Sequence, residues 1–218
     1  MAALFVDRRD AGRRLAPKLK HYAGRPDVIV LALPRGGVPV ASEVAAALRV
    51  PLDILLVRKL GVPGHDELAM GAIASGGVRV LNHEVIQRLA IAPRVLEIVA
   101  RREQREMERR EQEYRQGRPA PDVRGRVVIL VDDGLATGSS MSAAVTALRR
   151  QKANGIVAAV PVGASHTCLD LSSHVDEMIC LEMPEDFGAV GEWYDDFGQV
   201  SGAEVRELLA SSQPAARR

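Results

Sequence analysis

Twice in this chain an unbroken apolar run stops at a small-residue turn, and each turn leads into a helical pattern. The first run is Val28-Ile29-Val30-Leu31-Ala32-Leu33, closed by Pro34-Arg35-Gly36-Gly37. The second is Val127-Val128-Ile129-Leu130-Val131, closed by Asp132-Asp133-Gly134. Short apolar runs so rich in β-branched residues fit strands buried on both faces, the environment of a parallel sheet. Residues 38–48 then read as an alanine-rich helix and 52–57 as a strand; residues 139–151 and 155–163 repeat that order. Strand, turn, helix, strand is a βαβ unit with a right-handed crossover. Two such units predict an α/β domain: a mostly parallel twisted sheet flanked by helices.

The remaining segments fit around that frame. Residues 7–22 carry Ala11, Leu15 and Leu19 at helical spacing. Residues 58–68 read as a polar loop with Gly and Pro, 71–74 and 78–81 as short strands, and 83–90 as a helix capped by Asn82. Residues 94–116 are dense in Arg and Glu, with almost no apolar residue after Val99. They read as a long solvated helix held partly by Glu/Arg pairs three and four residues apart. A short helix at 165–171, a last strand at 178–181 and a closing helix at 203–210 complete the pattern. The expected organisation is one domain over 1–218, with a helical insertion at 83–118, a hood-like segment at 182–202 and a disordered tail at 211–218.

Charge and cysteine usage narrow the function classes. There are 29 basic and 28 acidic side chains, a formal net charge of +1. That balance gives no electrostatic case for nucleic acid or an anionic membrane. Cys168 and Cys180 are the two cysteines, in neither a metal-binding spacing nor a disulfide framework. No apolar run approaches the ~18 residues of a membrane span. The apolar stretch before Asp7 is too short for a signal-peptide core. The expectation is a soluble cytoplasmic protein that handles small molecules.

The second turn carries the clearest chemistry. A buried strand ends in Asp132 and Asp133; Gly134, Ala136 and Gly138 make a small-residue turn; Thr137, Ser139 and Ser140 place hydroxyls at a helix start. Backbone N–H groups in such a turn converge on an anion, and the helix N-terminus adds partial positive charge. Adjacent acids are poor neighbours for a phosphate unless something separates them, and a ribose does so while donating hydroxyls to the acids. The plain structural alternative is a strand-to-helix connection in which Thr137 caps the helix and the acids are solvated. No Lys follows Gly138, so this is not a Walker loop.

The stretch 127–140 resembles the ribose-phosphate motif of the type I phosphoribosyltransferases: a hydrophobic strand, two acids, small residues, Thr-Gly, then hydroxyl residues. The resemblance implies that Asp132 and Asp133 hold the ribose hydroxyls of phosphoribosyl pyrophosphate. It implies that Gly134, Leu135, Ala136, Thr137, Gly138, Ser139 and Ser140 form the phosphate-side loop. Residues 33–39 look like the pyrophosphate loop of bacterial xanthine and guanine members. There Gly36 and Gly37 let the backbone approach an anion, and Arg35 supplies a fork of donors. Arg58 and Lys59 end the second strand, where ligands of such sheets bind; they face pyrophosphate or are ordinary surface charges. Residues 61–67 take the place of the family's mobile catalytic loop, with glycines as hinges and a solvated His65. Residues 184–197 resemble the base-binding end of hypoxanthine and guanine enzymes. Phe187 then stacks on the base, with Trp193 in the same cluster, and Asp195 helps hold Mg2+. A small core beneath the closing helix would also gather these aromatics.

Two departures stand out. Ala136 replaces the Asp that hypoxanthine-type enzymes carry before the Thr, so the loop does not name the base. The charged segment 94–116 has no counterpart in the standard salvage enzymes, and its nearly cancelling charges argue against RNA. The resemblance implies a Mg2+-dependent, homodimeric transferase acting on phosphoribosyl pyrophosphate and a small nitrogenous acceptor. A non-catalytic sensor of a phosphoribosyl metabolite or nucleotide uses the same pocket, and hydrolysis of a phosphorylated sugar is a third option. Fold alone does not choose among them.

Overall fold

The computed structural model describes residues 3–212. The chain opens with α1 (Arg8–Leu15), capped by Asp7, whose side chain accepts the Asp10 N–H. A tighter turn (Ala16–Tyr22) follows. Then come β1 (Val28–Ala32), α2 (Gly37–Leu48) and β2 (Leu52–Ile54). Next are β3 (Val57–Val62), β4 (His65–Ala74), β5 (Val78–Leu81), α3 (His83–Arg88) and α4 (Pro93–Arg115). The second βαβ unit is β6 (Val127–Val131), α5 (Ser139–Arg150) and β7 (Gly155–Val162). The last elements are α6 (Ser165–Ser172), β8 (Glu177–Glu182) and α7 (Gly202–Ser211).

Five strands form one parallel sheet in the order β2-β1-β6-β7-β8. Both central strands are buried throughout, which is why their sequences are apolar without alternation. Val28, Val30, Val127 and Ile129 face one core with Val40 and Val44 of α2; Ile29, Leu31, Val128 and Leu130 face the other with Met141 and Leu148 of α5. The chain runs outward from β1 to β2, then returns to β6 and proceeds to the opposite edge. Strand order therefore reverses between β1 and β6. In open α/β sheets the ligand crevice lies there, at the carboxyl ends. The turns after β1 and β6 border that crevice.

Three expectations change. The strand at 52–57 stops at Ile54, and β3 begins a separate antiparallel sheet, β3-β4-β5. Residues 58–68 are not a free loop. They belong to the β3–β4 hairpin, in which Val62 pairs with His65 across Pro63 and Gly64 (φ +78°). A register irregularity around Gly61 breaks the period-two alternation that would have marked β3. Finally, α4 is not solvated all round. Val99, Ala100, Glu103, Met107, Tyr114 and Arg115 are buried, on a stripe that packs against β3 and α7. Its outer face carries the expected pairs, with Glu106 meeting both Arg109 and Arg110.

Of the expected tail, Ser211 ends α7, and the hydroxyls of Ser211 and Ser212 donate to the Leu208 carbonyl. The rest, 213–218, lies outside the described residues. Among the described residues no helix is long and apolar enough to cross a membrane.

Candidate functional site

The loop after β6 is riveted down in its middle and open at its tip. Leu135 is 2% exposed; its N–H donates to Val162 O and its carbonyl accepts from Ala164 N–H, both at 2.9 Å. Leu135, expected beside the ligand, is thus an anchor to the end of β7. Thr167 of α6 adds a second tie, its Oγ1 donating to Ala136 O at 2.7 Å. Between these ties the exposed surface is Ala136, Thr137 and Ser140, with Thr137 Oγ1 and Ser139 Oγ 3.2 Å apart. Gly138 caps α5 in the left-handed region (φ +68°), where a β-carbon would also stand 2.7 Å from Thr167 Cγ2. It has no side chain to cap the helix, so the first N–H groups of α5 keep their capacity for an anion.

At the other end of the loop the acids are tightly held. Arg8 of α1 donates through Nε to Asp133 Oδ2 at 2.7 Å, with side chains only 11% and 15% exposed. Arg8 Nη1 donates to Gly198 O at 2.8 Å, and its guanidinium lies 3.8 Å from the centroid of the Phe197 ring. The Tyr194 hydroxyl donates to the Asp133 carbonyl at 2.5 Å. Asp132 Oδ1 accepts the Asp133 N–H at 2.9 Å. Burial, then the neighbouring Asp133 charge, pushes the Asp132 carboxyl well above the usual carboxylate range, although the residue keeps some exposed surface. Burial and the same charge push the Tyr194 phenol upward, so it remains a donor.

The turn after β1 packs onto these acids. A β-carbon on Gly36 would stand 2.6 Å from Asp133 Cγ, and one on Gly37 would stand 2.7 Å from Val131 O. The Gly37 N–H is already spent on Leu33 O at 3.1 Å, so Gly37 serves close packing. The Pro34–Arg35 peptide is cis. Arg35 is half-buried and enters none of the ion pairs among the described residues.

Other expected residues divide. Arg58 is not a free cation: it donates to Glu103 at 2.6 Å, and Glu103 is 7% exposed. Lys59, next along β3, is exposed. Trp193 is 5% exposed and stacks against Phe187, their centroids 6.2 Å apart, so it packs within the hood. Phe187 is half-buried and borders a cavity of about 470 Å³ with Ala136, Thr137, His166 and Asp170. Asp195 is exposed, and its N–H donates to Phe5 O. Among the described residues no three His, Cys, Asp or Glu side chains converge as a metal cluster. A hollow of about 560 Å³ along Arg101, Arg105 and Arg109 of α4 is bordered by neither turn of the crevice.

Sequence reasoning missed Arg8, His166 and Asp170, and took Tyr194 only as part of the aromatic segment 184–197. No local pattern marks Arg8, which is 125 positions from Asp133.

A family model described as the phosphoribosyl transferase domain matches residues 7–197. A Mycobacterium tuberculosis protein (strain H37Rv), provisionally named a phosphoribosyl transferase, is 46% identical over 206 residues, covering 94% of this chain and 46% of the relative. The chain thus spans about half the length of the curated relatives it matches. The crystal structure of TT1426 from Thermus thermophilus is similar at 41% identity and a TM-score of 0.85, over 96% of this chain and 99% of that one. AQ2163 from Aquifex aeolicus shares the fold alone, at 11% identity and a TM-score of 0.52, over 84% of this chain and 78% of that one. With residues 7–197 matched by one family model, the chain belongs to the phosphoribosyl transferase domain family.

Proposed function

We propose that this domain binds phosphoribosyl pyrophosphate across the β1–β6 crevice and transfers its 5-phosphoribosyl group to a nitrogen nucleophile, releasing pyrophosphate. The observation that carries this is the packing of Gly36 against Asp133. That packing sets the glycine turn after β1, two acids and a hydroxyl-rich loop side by side at one strand-order reversal.

Each end of the substrate then meets suitable chemistry. The 5′-phosphate sits at Ala136 to Ser140, held by loop amides, the hydroxyls of Thr137, Ser139 and Ser140, and the N-terminus of α5. The ribose hydroxyls donate to Asp132 and Asp133. The pyrophosphate faces Arg35, whose guanidinium has no carboxylate partner among the described residues, with exposed Lys59 as a second cation. As the bond to pyrophosphate breaks, positive charge grows on the sugar, and placed charges stabilise it. Asp132 and Asp133 are hard oxygen donors but too few to hold Mg2+ alone, so they would hold it only together with substrate oxygens. Bound there, Mg2+ would supply Lewis acidity at the leaving group. Asp195 is at most an accessory to that ion.

The acceptor fits the cavity beside the loop tip, with Phe187 as its aromatic face. The test is pyrophosphate release with Mg2+ and a panel of purine, pyrimidine and simple amine acceptors. Release with one class of acceptor, lost in Asp133→Asn, is the expected result. Binding of phosphoribosyl pyrophosphate without release for any acceptor would favour a sensor.

A further inference from the structure

Asp133 is met from outside both turns, by the first residue of α1. Asp7 is extended (φ −154°) and caps Asp10, which starts the helix at Arg8. The preceding backbone is bound to the hood: the N–H groups of Leu4 and Phe5 donate to Trp193 O, and those of Asp195 and Asp196 donate to Phe5 O and Val6 O. Arg8 is therefore fixed between the N-terminal segment and the hood, over Phe197 and against Gly198 O.

A staple between the two ends of the domain would need no more than that. Arg8, however, spends its Nε on one specific oxygen, Asp133 Oδ2. Tyr194 holds the Asp133 carbonyl, and the bare α-carbon of Gly36 closes off the side chain from the β1 turn. The carboxylate is thereby locked, and Oδ1 is the oxygen with no hydrogen-bond partner among the described residues. We propose that Arg8 is a positioning residue: it fixes Asp133 so that Oδ1 accepts a ribose hydroxyl, and it supplies the counter-charge for the Asp132–Asp133 pair. This rests on the phosphoribosyl pyrophosphate reading above and adds the N-terminal helix to the site.

The test titrates phosphoribosyl pyrophosphate into the wild-type protein, Arg8→Gln and Arg8→Lys, each also combined with Asp133→Asn, and records melting curves. Arg8→Gln weakens binding about tenfold, the scale of one charge-assisted hydrogen bond. Arg8→Lys keeps a cation beside Oδ2 and recovers to within about threefold of wild type. Neither change weakens Asp133→Asn further, because its target is already altered. Should Arg8→Gln not fold, Arg8→Lys carries the same test of non-additivity. Wild-type affinity in a folded Arg8→Gln overturns the positioning role and leaves the proposed function standing. So does a loss that Lys does not rescue and that adds in full to Asp133→Asn. No binding by the wild-type protein overturns the function itself.

Discussion

Gly36 and Asp133 are packed so closely that a β-carbon on Gly36 would stand 2.6 Å from the carboxyl carbon. The turn after β1 and the acid after β6 are thus one surface. Gly36→Ala must displace either the turn or the carboxylate. It is expected to cost about 1–3 kcal/mol in denaturant unfolding, the scale of overpacking, and to weaken binding of phosphoribosyl pyrophosphate. Gly61 has open space around its α-carbon. Gly61→Ala is the control and changes stability by no more than about 0.5 kcal/mol.

The enclosed Asp132 carboxyl makes a prediction about pH. Its folded-state pKa is raised above the unfolded value by burial and by Asp133. Between those two values the folded protein holds a proton that the unfolded chain has released, so this group's contribution to stability falls as pH rises through that window. Asp132→Asn removes the buried charge. It is expected to raise the melting temperature at neutral pH, by an amount that shrinks on acidification, while weakening substrate binding. A melting temperature unchanged at every pH would contradict this burial.

Arg58 and Glu103 form a largely buried pair between β3 and α4. Glu103→Ala strands the Arg58 charge. The expected cost is about 2–3 kcal/mol, below that of a fully buried pair because Arg58 keeps some solvent contact. Denaturant unfolding checks it. Glu106, on the exposed face of α4, should leave stability nearly unchanged when replaced by Ala.

Phe187 and Trp193 should separate by function. Trp193→Ala empties a buried site and is expected to destabilise the domain by about 3 kcal/mol or more. Phe187→Ala removes the aromatic wall of the cavity proposed for the acceptor. It should raise the KM for the acceptor while leaving the affinity for phosphoribosyl pyrophosphate near wild type. Equal effects of the two substitutions on stability and KM would contradict this division.

What the sequence revealed and concealed follows from distance along the chain. Asp132 to Ser140 is contiguous, so its strand, turn and helix start were legible as a unit, as were both central strands. Arg8 was not, because its meaning arises only when α1 closes on a residue from the far half of the domain. The β3–β4 hairpin was hidden by the irregularity at Gly61, even though Pro63-Gly64 is a turn signal. The buried face of α4 was hidden for another reason: two of its buried residues are charged. Arg115 is 3% exposed and meets Asp53, Glu111 and Ile54 O, a position that a hydrophobic pattern reads as surface. Phe187 and Trp193 read alike, and only packing shows that Trp193 is the more buried.

The most direct measurement is a calorimetric titration of the protein with phosphoribosyl pyrophosphate, with and without Mg2+, repeated on the Asp132→Asn/Asp133→Asn variant. Saturable binding at one site, strengthened by Mg2+ and lost in a variant that still folds, is the predicted result. A folded wild-type protein that shows no binding heat with or without Mg2+ would contradict the assignment of the β1–β6 crevice to this substrate.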